Sequence, residues 1–289
     1  LVLPPVWMVF HSLGWYFLFD SKKKFKFLSI FGAQLSSMAV SEAFMGQAGG
    51  EPYRAYFVKK HSDKEESPNI FASVILYNTI HTIVTGILFA IGFFAIITII
   101  KVKLYKRILF ICALVFGFSL VYYFIKKQKK GFMFSVFSFL ERFKFLRKFV
   151  SNKKEKAKKI DERLHQFYTH HRVYFILSFF MISIAKFLGI IEFYLILKFI
   201  GLPLSWIMVL AIFSFSALIQ LILFFFPAQI GATEGGIAYL FSVLGKPPAF
   251  GVALAIVRRF RVFVWTIIGL VVAYIWGPKP GDKKIGNQD

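Results

Sequence analysis

Nine charged residues stand inside or at the edge of long apolar stretches: Glu42, Glu51, Glu192 and Glu234, and Arg54, Lys186, Arg258, Arg259 and Arg261. A charge at the centre of a membrane helix costs about 2.5–3.5 kcal/mol on insertion scales, so such residues pair, face water or meet a charged ligand. Glu51 and Arg54 are three apart and share one face of a helix, as do Arg258 and Arg261, while Arg259 points elsewhere. The planar guanidinium fork suits phosphate or carboxylate. The half-helix breaks expected at Gly49-Gly50 and Gly231 leave free N–H groups that favour an anion. Two chemistries fit these residues: internal ion pairs, Glu51–Arg54 and Glu234–Arg259, or a site for an anionic headgroup. The expected substrate-binding set is Glu51, Arg54, Glu234, Arg259 and Arg258, with Gln47 and Gln229 beside the breaks. Arg54 and Arg259 are expected to line one internal cavity with Glu51 and Glu234. Replacing Arg258 or Arg261 should then be the milder change.

Other chemistries find little support. The acids are spread singly over separate segments, and no Ser/His/Asp set or carboxylate cluster appears. One cysteine, Cys112, and six scattered histidines offer no metal cluster and no internal disulfide. His81 sits in an apolar stretch and reads as a hydrogen-bonded core residue. No Gly-x-x-x-x-Gly-Lys loop occurs, so a nucleotide is not expected to drive the protein. The sequence thus predicts no catalytic residues, metal or cofactor, and no enzyme.

The elements that position these charges are membrane helices. Of the 289 residues 57% are hydrophobic and only 17% charged, against about 25% charged in soluble domains. Ile70 to Ile100 contains no Asp, Glu, Lys or Arg over 31 positions, and Phe199 to Thr233 none over 35. Uncharged apolar runs of that length read as transmembrane helices. The pattern predicts helices near 69–100, 107–125, 172–199 and 249–276, and a stretch at 204–226 ending in Pro227. A short helix is expected near 234–244, with Thr233 as its N-cap and Gly245 as its stop. Pro52 suits the first turn of another short helix, which runs to Lys60. The chain opens at Leu1 on an apolar span without a Met, and a preceding piece is expected.

The net charge of +22 follows topology rather than nucleic acid. Of the 36 Lys and Arg, 25 fall in segments 22–26, 59–64, 126–172 and after 278, against six at 101–107, Lys198 and Lys246. If the first group is cytoplasmic, that imbalance obeys the positive-inside rule. In 126–171, phenylalanines mix with Arg142, Lys144, Arg147 and Lys148, as in an interfacial helix resting on anionic lipid. No aromatic–basic recognition module marks a nucleic-acid binder.

An internal repeat organises the rest. Shifted by 182, Leu28–Gly49 falls on Leu210–Gly231, matching at Phe44/Phe226, Gln47/Gln229 and Gly49/Gly231. One residue further, Glu51-x-x-x-Ala55-Tyr56 matches Glu234-x-x-x-Ala238-Tyr239. If each break joins two half-helices that dip in and return, the two units enter from opposite sides, as in inverted-repeat transporters. Ordinary spans with packing glycines are the alternative.

Gly50-Glu51-x-x-Arg54-Ala55-Tyr56 is similar to the first motif of the flippase-like family, also known as the lysylphosphatidylglycerol synthase transmembrane-region family. Pro227-x-x-x-Gly231-x-x-Glu234, followed by Pro247-Pro248 and Arg259, resembles the second. The likeness covers roughly 15–276. A Pro expected before the first Gly-Glu is replaced near Gly46, and Asn78 and His81 stand where charged residues are usual. The resemblance implies translocation of an anionic or aminoacylated phospholipid, or of a lipid-linked precursor. The aminoacyl-transferase activity of some relatives lies in a separate soluble domain.

The reading is an all-α polytopic membrane protein: a helical bundle with two pseudo-symmetric, inverted repeats containing broken or re-entrant helices. Its parts are a first repeat with linking helix (1–125), a basic cytoplasmic loop (126–171), a second repeat (172–277) and a polar tail (278–289). The expected function is lipid translocation in the cell membrane, with a scaffold or accessory subunit for a lipid- or glycolipid-synthesis enzyme as the alternative.

Overall fold

The computed structural model describes residues 2–19, 25–45, 47–62, 67–99, 103–141, 154–222 and 231–278. Among these, eleven α-helices and no strand are found. They are α1 (Leu3–Tyr16), α2 (Phe27–Val40), α3 (Gln47–Lys60), α4 (Ser67–Ile99), α5 (Leu104–Lys129), α6 (Phe132–Leu140), α7 (Lys154–His170), α8 (Arg172–Phe199), α9 (Trp206–Ile222), α10 (Ala232–Val243) and α11 (Pro248–Trp276).

Three stretches are long and apolar enough to cross a membrane: Ser67–Ile99, Arg107–Lys129 and Arg172–Phe199. The protein is therefore an integral membrane protein with membrane-spanning helices. α11 is as long, at 29 residues, but carries three arginines. Helices α2 and α3 have 14 residues each and α10 has 12, which at 1.5 Å per residue is about 18–21 Å. That falls short of the ~30 Å hydrocarbon layer.

Helices α4 and α8 contribute to both apolar cores. One core joins them to α1, α3 and α7 through Trp15, Phe57, Leu76, Leu164 and Ile182. The other joins them to α9, α10 and α11 through Ile190, Leu197, Ile212, Phe241 and Leu254. On α5, by contrast, Leu109, Phe116, Leu120 and Tyr123 all face outward. An apolar helix exposed on most sides is what a lipid solvent permits.

The short helices form two hairpins. A π-type turn, Ser41–Met45, joins α2 to the start of α3, and Arg54 Nε donates to Ser37 Oγ across the pair at 3.3 Å. Gly50 permits that approach, because a Cβ there would lie 2.4 Å from the Ser37 carbonyl oxygen and 2.2 Å from Ser41 Oγ. Gly236 of α10 likewise lies under Ile219 of α9. The two hairpins pack on opposite ends of α11. Gly269 meets Leu35 and Ala39, and Lys60 Nζ donates to the Gly277 carbonyl at 2.8 Å. At the other end of α11, Gly251 meets Ile237 and Ala238.

Some boundaries differ from the sequence expectation. α3 begins at Gln47, so Gly49 and Gly50 fall in its first turn and Pro52 lies inside the helix. The discontinuity sits earlier, at the π-type turn Ser41–Met45. Gly231, at φ +82, is the N-cap of α10 in place of Thr233, a left-handed conformation that glycine adopts at little cost. Gly245 does end the following turn, at φ +68.

Beyond the end of α5, α7 packs Ala157, Ile160, Leu164 and Phe167 inward at helical spacing. Asp161 accepts hydrogen bonds from the N–H groups of Met133 (2.9 Å) and Phe134 (2.7 Å), fixing the start of the Phe-rich α6. Burial pushes the Asp161 carboxyl above its ordinary range, and those two bonds pull against the shift. The basic positions Arg142, Lys144, Arg147 and Lys148 lie outside the described residues, as do Pro227 and Gln229.

Gly50→Ala is expected to destabilise the protein by about 1–3 kcal/mol, the usual cost of overpacking. Gly117→Ala is the control, since its methyl would meet nothing within 4 Å. Thermal unfolding of the two purified variants should show a lowered midpoint for the first alone.

Candidate functional site

A partly open cavity of about 180 Å³ lies where α1, α4, α8, α9 and α11 converge. Helix α11 presents Arg258 and Arg261 to it, one turn apart, and α8 presents Lys186 and Glu192. His11 of α1, Thr85 of α4, and Ser214 and Ser216 of α9 complete the polar lining, with apolar walls that include Phe89 and Phe193.

The charges do not balance. Arg261 Nη1 pairs with Glu192 Oε2 at 2.5 Å, and Glu192 is only 6% exposed. Lys186 has no hydrogen-bond or ion-pair partner among the described residues. The Arg258 guanidinium sits over the Phe193 ring, 4.5 Å from its centroid. Its Nε is shut off from solvent without a partner, and so is Thr85 Oγ1. Glu42, exposed on the π-type turn, attracts Arg259, Arg258 and Arg261 from a distance without pairing with Arg258. An unpaired cation in a low-dielectric interior is costly, yet two of them face the same space.

Of the residues favoured by the sequence, Arg258 lines the cavity, while Glu51, Arg54, Glu234 and Arg259 lie as two separate pairs outside it. Arg54 Nη2 pairs with Glu51 Oε1 at 3.3 Å, and Arg54 is 6% exposed. Its guanidinium is held over Tyr77 (4.8 Å to the centroid) and Trp15 (5.3 Å), two contacts worth ~0.5–2 kcal/mol each. Arg259 Nε pairs with Glu234 Oε1 at 2.7 Å. The other oxygen, Glu234 Oε2, accepts the Gly231 N–H at 2.8 Å. The protein's own carboxylate therefore occupies a backbone donor at this helix start that the sequence had left free for an anion. Gly50 is a close-packing residue, and Gly49 and Gln47 lie in the first turn of α3.

A polar contact path links the Arg54 pair to the cavity. Tyr77, under the Arg54 guanidinium, shares a hydrogen bond with His11 Nδ1 at 2.8 Å, and His11 lines the cavity. His81 lies against His11 with ring centroids 5.7 Å apart. Among the described residues, no group of three or more His, Cys, Asp or Glu is arranged to hold a metal ion.

The family described as the lysylphosphatidylglycerol synthase TM region matches residues 1–269. The chain belongs to that family. A UPF0104 membrane protein of Methanothermobacter thermautotrophicus (strain Delta H) is 28% identical over 267 residues, covering 85% of this chain and 74% of the relative. No solved structure matches the chain.

Within this lysylphosphatidylglycerol synthase TM-region member, both motif pairs exist as pairs, yet the cavity is built from their neighbours. Lys186 and Glu192 gave a sequence signal as charges in an apolar helix, but they are six apart and so suggest no local pair. Arg258 and Arg261 gave the i, i+3 signal, which fixes a shared face and not what that face meets.

Proposed function

We propose that this protein moves a phospholipid or lipid-linked precursor with an anionic headgroup between membrane leaflets. The observation that carries the reading is the pair of cations without an ion-pair partner among the described residues, Lys186 and Arg258. They face one cavity whose lining includes the membrane-spanning helices α4 and α8. A cavity of about 180 Å³ is smaller than the ~300–1,000 Å³ of a drug-sized ligand site. It suits a headgroup, while acyl chains stay in hydrocarbon.

Two features support an alternating path through the cavity. The hairpins α2–α3 and α9–α10 include helices too short to span, and they contact opposite ends of α11. Their inner ends bring Glu42 and Glu234 toward the arginines at the middle of α11. In this reading they are re-entrant units of two inverted repeats, the arrangement of transporters whose sites lie at broken helices near the midplane. The pairs Glu51–Arg54 and Glu234–Arg259 brace the hairpins, and the cavity cations hold the headgroup.

The proposed setting is the cell membrane, with 59–67, the 126–171 loop and the C-terminus cytoplasmic, and 101–107 and Lys246 outside. The loop's lysines and the exposed Phe134 and Phe139 of α6 then rest on anionic lipid. Those same residues favour the second reading, a docking surface for a lipid-synthesis enzyme.

The test is reconstitution of the purified protein in phosphatidylcholine vesicles containing tail-labelled phosphatidylglycerol and phosphatidic acid. Protein-dependent loss of the inner-leaflet label to an external quencher supports translocation. Leaflet exchange no faster than in protein-free vesicles leaves the scaffold reading.

A further inference from the structure

The cavity wall specifies more than a lipid. We infer that the headgroup it holds is a dianionic phosphate, as on a phosphomonoester or pyrophosphate lipid, and not an aminoacylated headgroup. This rests on the translocator reading for its lipid source, while the anion chemistry rests on the wall itself.

Three cations and one acid line the cavity, and the acid is taken: Glu192 pairs with Arg261 at 2.5 Å. Lys186 and Arg258 have no ion pair among the described residues. The three cations and one carboxylate of the lining therefore leave two positive charges in excess, which two negative charges on a ligand would balance. The unpartnered polar atoms point the same way. Arg258 Nε is a donor by its chemistry, and the Thr85 hydroxyl donates by rotating its proton. A phosphate brings the acceptor oxygens that these groups and the Lys186 ammonium lack, and arginine is matched to phosphate geometry. An aminoacylated headgroup brings an ammonium instead. The wall has no unpaired carboxylate to receive it, and two uncompensated cations repel it. Glu192, already paired with Arg261, and Glu42, which lies outside the cavity lining, both attract Arg258 without forming an ion pair with it. A phosphodiester such as phosphatidylglycerol carries one negative charge and leaves one cation unmet.

The test is binding to the purified full chain in neutral detergent, read by thermal stabilisation across a concentration series. The probes are dioctanoyl phosphatidic acid, phosphatidylglycerol, lysyl-phosphatidylglycerol and phosphatidylcholine, and inorganic phosphate. Phosphatidic acid is expected to bind about tenfold or more tightly than phosphatidylglycerol, as one extra charged hydrogen-bond partner implies. The lysylated and zwitterionic lipids should not stabilise the protein. In Lys186→Gln the preference for phosphatidic acid should collapse toward parity, and Lys186→Arg should retain it, which separates charge from folding. Equal binding of lysyl-phosphatidylglycerol, or an unchanged preference in a folded Lys186→Gln, overturns the proposal. Inorganic phosphate binding as tightly as phosphatidic acid overturns the lipid source. Selective binding without any leaflet exchange sinks translocation and leaves the headgroup assignment standing.

Discussion

Neutralising either cavity cation, by Lys186→Gln or Arg258→Gln, is expected to cut headgroup translocation by about 10–100-fold. That is the value of one charged hydrogen bond, ~1.5–3 kcal/mol, expressed as a rate or affinity. The double variant should fall to the background rate of protein-free vesicles. The same changes are expected to leave the yield of folded protein intact. Lys186→Gln should raise its thermal stability by removing a cation that has no ion-pair partner among the described residues. Arg258→Gln also gives up the contact with Phe193 and the attraction of Glu192, and should move the midpoint little. A structural role predicts the opposite pairing, with stability lost alongside activity. Melting curves and dithionite-quench assays on the same preparations distinguish the two. Activity that survives the double variant would remove the cavity from the pathway.

The opposite behaviour is expected at Arg54. Arg54→Gln breaks a pair with Glu51 and empties the space over Trp15 and Tyr77. Breaking a buried ion pair costs about 3–5 kcal/mol, and the lower end applies because the Glu51 side chain is 33% exposed. The variant should therefore insert poorly or melt well below the parent. The protein that does fold should translocate at close to the parent rate per molecule, because Arg54 lies outside the cavity lining. Arg54→Lys should recover part of the stability through its charge. Exchanging the pair, Glu51→Arg with Arg54→Glu, should not, because a carboxylate cannot take the place of a cation over two aromatic faces. Full recovery in the exchanged protein would show that the ion pair alone holds the hairpin.

These contrasts bear on what the sequence made legible. Helix α8 was readable to its ends, since Arg172 opens an apolar run that fails at Gly201 and Pro203. The all-helical membrane class and the two Glu–Arg pairs were also readable, the first from run length and the second from spacing and desolvation cost. The start of α3 was not, because Gly46 to Pro52 reads as a break, whereas tertiary packing against Ser37 keeps the glycines helical. Arg258 was among the expected binding residues, but that it and not Arg259 faces the cavity was hidden for another reason. Helical periodicity sets Arg259 about 100° from Arg258, but α11 exposes Val257, Phe260 and Phe263 as well. An apolar helix with apolar surroundings gives no sequence cue to its inward face. Arg258 and Arg261 therefore line the cavity, while Arg259 turns to Glu234.

The most direct test of the cavity as a pathway is thiol accessibility at Ser216, a 1% exposed residue of its lining. Ser216→Cys is placed in a background where the exposed Cys112 has been replaced by serine, and a membrane-impermeant reagent is applied to right-side-out and to inverted vesicles. The translocator account predicts labelling from both sides, slowed in each case by phosphatidic acid in the membrane. Labelling from neither side, in vesicles where a loop cysteine reacts normally, would mean a sealed internal pocket and would contradict it.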